Sequence, residues 1–331
     1  MLDKIFEPLL SNWWMLVLCL VVGLVLLVKG ADWLVAGASA VAKRFGINDL
    51  VIGLTVVAFG TSMPEFVVNM VSVADGVTDL AVTNILGSNI INTFVILGCT
   101  ALVWPIATQK RSRDFDIPVS ICAGVTVMAC VLVNLTFETN EGISFVGGII
   151  MLVIFALFMY MTMRHAKDHP EEATVEKVEE MAVWKALMLI LVGLVGLVVG
   201  GEMIVKSAVR VASNLGVSDA IIGLTVVALG TSLPELATSV VAAFRHNSDI
   251  ALGNVVGSNI FNVFLILGVS ACIRPLPSYD GIGIDAIVAA MGSVIVWILI
   301  KLSRRRNIER WGGALLLLVY AAYLTYRLMM I

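Results

Sequence analysis

Charge is scarce in this chain of 331 residues: Asp, Glu, Lys and Arg make up 14% of it, where soluble domains run near a quarter. Histidine is scarcer, and His165, His169 and His246 all fall in segments that read as loops. Neither H-E-x-x-H nor G-x-S-x-G occurs, so the chain carries no recognisable metalloprotease or serine-hydrolase centre and reads as no enzyme. Five cysteines (Cys19, Cys99, Cys122, Cys130, Cys272) lie in or near apolar segments without C-x-x-C pairing. They read as small packing residues, neither disulfides nor ligands. The net charge of −3 points to no class of partner, nucleic acid included.

What is abundant is apolar. Sixty per cent of the residues are hydrophobic and the mean hydropathy is +1.01. Runs long enough to cross a hydrocarbon core recur, as at Trp13–Val28, Val183–Val199 and Ile284–Ile300. The bilayer is therefore the chain's main solvent. The first run continues with no small-x-small cleavage site, so it reads as a span and not as a signal peptide. Charged and turn-rich breaks predict an all-α membrane protein of about ten spans: 12–42, 49–73, 79–103, 115–135, 143–163, 182–212, 219–244, 249–273, 283–301 and 311–328. The first and sixth exceed what a bilayer requires, which predicts tilt or overrun. One markedly polar segment, Arg164 to Glu180, reads as a solvated linker or surface helix. The expected organisation is a five-helix repeat over 1–164, a linker over 165–181 and a second repeat over 182–331.

Loops after odd-numbered spans hold 14 lysines and arginines, against four on the other side. By the positive-inside rule the richer side is cytoplasmic, which places the Arg164–Glu180 segment inside and both termini outside.

An internal repeat carries more information than any single motif. GLTVVAFGTS at 53–62 recurs as GLTVVALGTS at 223–232, and NILGSNIINTFVILG at 84–98 as NVVGSNIFNVFLILG at 254–268. The offset is 170 throughout, and 27 of the 55 positions from Val51 to Pro105 are identical without a gap. Five spans separate corresponding helices, an odd number, so the halves should enter the membrane in opposite directions. Inverted repeats of this kind build alternating-access carriers with a site at the midplane. An old duplication kept only for packing is the plainer alternative, but the best-matched stretches are rich in polar groups that a lipid-solvated scaffold avoids.

Spans two and seven contain A-x-G-T-S-x-P-E, Ala58 to Glu65 and Ala228 to Glu235. A carboxylate at membrane depth costs about 2.5–3.5 kcal/mol on insertion scales and needs a partner. No lysine or arginine lies at comparable depth; Lys29 and Lys206 sit near the polar parts of their spans. A bound cation remains, against the alternative of a protonated carboxyl kept for packing. Thr61 and Ser62 precede Glu65 by four and three positions and share its helical face, and Thr231, Ser232 and Glu235 repeat this. Pro64 and Pro234 lack an N–H, which predicts a bend and freed carbonyls at Gly60 and Gly230. Spans three and eight add G-S-N-x-x-N, with Ser88 and Asn92, and Ser258 and Asn262, at i, i+4 spacing. For Gly87, Gly257, Asn89 and Asn259 close packing and interhelical hydrogen bonding is the favoured role. Every donor is a hard oxygen, which favours Ca²⁺, Na⁺ or Mg²⁺ over zinc or copper.

At these motifs the sequence resembles the sodium/calcium exchanger family of the calcium/cation antiporter superfamily, in its compact prokaryotic form without a large regulatory domain. The resemblance runs from Gly30-x-Asp32 in span one to span ten. It implies ten helices, exchange of Ca²⁺ for Na⁺ with a third sodium making transport electrogenic, and no cofactor beyond the transported ions. It implies a prokaryotic inner membrane as the chain's place, and no protein partner besides the bilayer is evident in the sequence. It also implies a ligand set of Glu65, Thr61, Ser62, Ser88 and Asn92 with Glu235, Thr231, Ser232, Ser258 and Asn262, together with the carbonyls of Ala58 and Ala228. Some relatives carry aspartate at one of the two asparagine positions, so this core has two formal charges where theirs has three. Thr83, where the other half has Gly253, is expected to be a packing detail. A Ca²⁺/H⁺ antiporter would use the same acids as proton carriers and stands as the alternative; a channel fits the repeat and broken helices less well.

Overall fold

Hydrocarbon offers backbone amides no water, so a chain this apolar must satisfy them within its own helices. The computed structural model, which describes residues 13–76, 78–136, 141–168, 181–214, 228–279 and 281–329, is accordingly almost all helix. Helix α1 spans Trp13–Phe45; α2, Asp49–Thr61, and α3, Met63–Ala74, form one span bent by 46°. Then come α4 (Thr78–Val103), α5 (Ser112–Val133), α6 (Phe145–Asp168) and α7 (Val183–Asn214). A helical turn, Ala228–Thr231, leads into α8 (Leu233–Phe244), followed by α9 (Ser248–Ile273), α10 (Ile282–Leu302) and α11 (Arg310–Met329). Among the described residues this makes eight long apolar helices, nine spans with the bent pair. The opening half of the expected seventh span, 219–227, lies outside them, as does 169–180 of the polar segment; α6 itself runs on to Asp168, so the helix invades the expected linker.

The repeat is visible in local geometry. Ser62 breaks the first motif with φ −83°, ψ 7°, and Ser232 breaks the second with φ −89°, ψ 5°. Two-residue strands follow α4 and α9 at the same offset, β1 (Ile106–Ala107) and β3 (Leu276–Pro277). The remaining strands are β2 (Glu141–Ile143) and β4 (Asn307–Ile308). β1 pairs antiparallel with β4 and β2 with β3, so each ladder clips one half to the other.

Helices α1 and α7 are 33 and 32 residues long, as the sequence implied, and they run antiparallel in direct contact. Gly23 meets Gly200, Gly30 meets Gly193, and Gly37 meets Ala186. Seven-residue spacing puts these small residues on one stripe and lets the backbones touch, the usual basis of helix association in lipid. Opposed directions for α1 and its counterpart are what inversion of the halves requires.

Helices α4 and α9 form the centre. In each, 78% of the most apolar window is buried, against 17% in α11. Shielded from lipid in this way, they can carry polar side chains at membrane depth. Helix α9 lies tight on α2: a Cβ on Gly253 would sit 2.9 Å from the Leu50 carbonyl, and one on Gly257 would sit 2.8 Å from that of Leu54. Thr83, the counterpart of Gly253, is exposed and donates its hydroxyl to Asp79 O one turn back. All five cysteines are free; Cys122 is exposed, which corrects its expected packing role.

Candidate functional site

Four polar segments meet in the interior: the bend between α2 and α3, the bend before α8, and the middles of α4 and α9. Glu65, Ser62, Thr61, Ser88, Asn92, Glu235, Ser232, Ser258 and Asn262 are all buried, and Thr231 is partly so. The bends place the glutamates in the first turns of α3 and α8. From there each carboxylate reaches across to the other half. Ser62 Oγ donates to Glu235 Oε1 at 2.9 Å, and Ser232 Oγ donates to Glu65 Oε1 at 3.4 Å. The Ser88 hydroxyl approaches the same Glu65 oxygen at 3.5 Å. Thr231 and Ser258 lie against Glu65 and Glu235 respectively.

The second carboxylate oxygens are different. Glu65 Oε2 and Glu235 Oε2 are buried and, among the described residues, accept no hydrogen bond, and the same is true of Asn92 Oδ1 and Asn262 Oδ1. Among the described residues neither glutamate forms an ion pair; the pairs present are Arg111–Asp116, Arg164–Asp168, Lys206–Glu202, Arg245–Asp32 and Arg327–Asp285. Buried oxygens left open on two carboxylates and two amides are costly unless something positive sits among them. A set of carboxylate, amide and hydroxyl oxygens, with no cluster of three or more His, Cys, Asp or Glu among the described residues, fits a hard cation of the Ca²⁺ or Na⁺ kind.

Asn92 and Asn262 sit in stretches of π-helix, Ile91–Ile96 and Phe261–Leu267, and a third such stretch, Gly53–Val57, precedes the first bend. The wider turn frees the local carbonyl ladder and is a recurrent feature of functional sites. The two asparagines are not equivalent, however. Asn262 Nδ2 donates to Asn89 Oδ1 at 3.0 Å, whereas among the described residues neither atom of the Asn92 amide is hydrogen-bonded. Asn89 and Asn259 do join helices: Asn89 Nδ2 donates to Asn259 O and Asn259 Nδ2 to Thr93 Oγ1. Gly257 permits close approach as expected, while no described atom lies within 4 Å of a Cβ built on Gly87.

At the first bend the Ser62 N–H is directed to the carbonyls of Ala58 and Gly60. The hydrogen bond formed there is Ser62 N–H to Ala58 O at 3.0 Å, and Pro64 has no N–H to offer the Gly60 carbonyl. Ala58 O also receives a long contact from Thr61 Oγ1, 3.4 Å; Ala228 opens the matching turn. Sequence reasoning passed over Asn254, which braces this region: it accepts from Thr61 Oγ1 at 3.0 Å and donates to Ser239 Oγ and to the Glu235 carbonyl. Its mate Asn84 bonds Asn69 in the other half. Their place in the repeated N-x-x-G-S-N string was the available signal.

The chain and its fold have known counterparts. The sequence model of the family described as "Sodium/calcium exchanger protein" matches residues 15–164 and 185–329. The chain belongs to the sodium/calcium exchanger family. The exchanger is 31% identical over 342 residues to the sodium/calcium exchanger MaX1 of Methanosarcina acetivorans, covering 93% of this chain and 97% of that one. It is 37% identical over 261 residues to the inner membrane protein YrbG of Escherichia coli, covering 77% and 79%. Among solved structures it is similar to the sodium-calcium exchanger NCX_Mj soaked with 10 mM Na⁺ and zero Ca²⁺, with a TM-score of 0.79 and 30% identity over 94% of this chain and 98% of the other. It is thus a compact, almost entirely helical, multi-pass membrane antiporter for cations.

Proposed function

We propose that this exchanger carries Ca²⁺ in one direction and Na⁺ in the other through one occluded site, held by Glu65, Thr61, Ser62, Ser88, Asn92 and the Ala58 carbonyl with Glu235, Thr231, Ser232, Ser258, Asn262 and the Ala228 carbonyl. The observation that carries this is the reciprocal pairing of two buried glutamates across the halves, each with one oxygen left open. One Ca²⁺ or two Na⁺ neutralise two carboxylates, and both sets together overcharge the site. Competition for the same oxygens is then the coupling, since an empty doubly charged site does not cross the membrane readily and Ca²⁺ and Na⁺ cannot fill the site together. Moving one charge through 100 mV is worth about 2.3 kcal/mol, so extruding Ca²⁺ against that potential costs about 4.6 kcal/mol and two Na⁺ only cancel it. A third Na⁺ makes exchange electrogenic and supplies about 2.3 kcal/mol more, plus its own gradient.

The test is ⁴⁵Ca²⁺ uptake into proteoliposomes loaded with Na⁺, with K⁺, or with protons alone. Sodium loading should drive uptake and an inside-negative potential should alter its rate. Uptake driven equally well by a proton gradient without sodium would favour the Ca²⁺/H⁺ alternative instead.

The inequality of the asparagines gives a sharper expectation. Asn92→Asp adds a third carboxylate without breaking a bond, so the site then needs a third positive charge, a proton or an extra Na⁺, in the Ca²⁺-bound state. Sodium-driven Ca²⁺ flux should fall at alkaline pH and recover in acid, a response absent from wild type. Asn262→Asp should show the same trend on a weaker background, because it also replaces the donor to Asn89 by an oxygen 3.0 Å from another. An unmoved pH profile in Asn92→Asp would mean that this side chain does not face the ion.

We also propose that the 165–181 segment is cytoplasmic and both termini are outside, with 1–164 and 182–331 as inverted halves. The lysine and arginine census supports this. A single cysteine within 169–180 should be labelled by a membrane-impermeant maleimide only from the cytoplasmic face. Labelling from the outside would reverse the orientation and leave the site untouched.

A further inference from the structure

The turn between α10 and α11 is the most basic stretch of the chain, Lys301 followed by Arg304, Arg305, Arg306 and Arg310. It is also a built surface. β4 lies in the turn and pairs with β1, which anchors it to the end of α4. Ser303 is buried, and its hydroxyl donates to Glu309 Oε1 at 3.0 Å. Between these fixed points opens a cleft of about 660 Å³, with Arg304, Arg305 and Arg310 on its wall beside Pro105, Leu302 and Trp311.

The charges in this cleft are unbalanced. Its one acid, Glu309, is occupied on both oxygens, by Ser303 and by the Trp311 indole N–H at 3.0 Å. Arg304 and Arg305 are exposed and, among the described residues, have no hydrogen-bond or ion-pair partner. The cleft sits where two spans leave the hydrocarbon, and it is mixed in character. Leu302 is 69% and Trp311 50% exposed, both apolar groups at the level where acyl chains meet headgroups, with guanidinium groups next to them. Orienting the protein in the membrane needs only loose positive charge. A cleft of this size with free guanidinium forks and an exposed indole at its rim matches a phosphodiester with acyl chains attached.

We propose that this cleft binds the headgroup of an anionic phospholipid, its phosphate held by Arg304, Arg305 and Arg310 and its chains lying along Leu302 and Trp311. The lipid would brace the α10–α11 turn against the end of α4, the helix that carries Ser88 and Asn92.

The experiment titrates the purified full chain in detergent with phosphatidylglycerol, phosphatidylcholine and water-soluble glycerol 3-phosphate, reading bound lipid by native mass spectrometry. Wild type should retain phosphatidylglycerol in preference to phosphatidylcholine, and glycerol 3-phosphate should not displace it at comparable concentration. The double variant Arg304→Gln/Arg305→Gln should bind phosphatidylglycerol about tenfold more weakly. Arg304→Lys/Arg305→Lys should lose part of that preference, since an ammonium keeps the charge and lacks the fork. Arg274→Gln, a basic residue on another loop, should change nothing. Unchanged phosphatidylglycerol binding in the glutamine double variant would overturn the proposal. So would an equal loss in Arg274→Gln, which would reduce the effect to general charge, or displacement by glycerol 3-phosphate, which would make the cleft a site for soluble phosphate. If the glutamine variant fails to fold, the lysine variant carries the test, and full wild-type preference there would refute the arginine-specific site.

Discussion

Glu65→Gln and Glu235→Gln are each expected to reduce sodium-driven Ca²⁺ flux to the level of protein-free liposomes while the protein still folds. In the candidate site one oxygen of each carboxylate accepts a serine hydroxyl from the opposite half, and the other has no hydrogen-bond partner among the described residues. An amide keeps the shape and one acceptor, so packing of α3 and α8 should survive. It removes a formal charge and cannot chelate bidentately, which leaves a single carboxylate facing a divalent ion. Neutralisation then fails for Ca²⁺ and is met by one Na⁺, so the stoichiometric competition that couples the two ions is lost. The two variants should behave alike because the halves exchange their hydroxyl donors reciprocally. Normal flux in a well-folded Glu65→Gln protein would remove the site from this part of the molecule.

The second large effect concerns folding. Gly30→Val should cost about 1–3 kcal/mol or more and lower the thermal midpoint of the detergent-solubilised exchanger markedly. A Cβ at Gly30 would stand 2.8 Å from both the Gly193 carbonyl and the Leu197 amide, and Gly193 presses on Gly30 in return. These neighbours are backbone and cannot rotate away. Relief requires α1 and α7 to separate along their whole contact, since Gly23 with Gly200 and Gly37 with Ala186 are in the same register. Gly283→Ala is the control, because nothing lies within 4 Å of a Cβ there. A Gly30→Val protein as stable as the control would show that the two helices are not packed this closely.

The grouping of the candidate site was legible in the sequence because its elements are local. Thr61, Ser62 and Glu65 sit within one turn of chain, Ser88 and Asn92 within another, and exact recurrence at an offset of 170 marked both sets as more than packing. Which oxygen meets which is a tertiary fact that spacing does not carry. The crossing of Ser62 to Glu235 and of Ser232 to Glu65 appears only when the bends of both halves face each other. The π-helical turns at Asn92 and Asn262 have no residue-type signature, so i, i+4 spacing predicted the neighbourhood and not the register. The repeat also hid a difference. Identical asparagines at matched positions differ because Asn89 and Asn259 bond unlike partners, the one reaching a carbonyl and the other a threonine hydroxyl. The glycine stripe between α1 and α7 was written in the sequence at seven-residue intervals, but small residues in an apolar span have many uses and only the partner helix selects one.

The central claim is that Ca²⁺ and Na⁺ compete for one site made by two glutamates, and equilibrium binding tests it most directly. Calorimetric titration of the purified exchanger with Ca²⁺ should give saturable binding that weakens progressively as Na⁺ is raised and that is absent from Glu65→Gln/Glu235→Gln. Ca²⁺ binding that is indifferent to Na⁺, or that persists in the double variant, would contradict it.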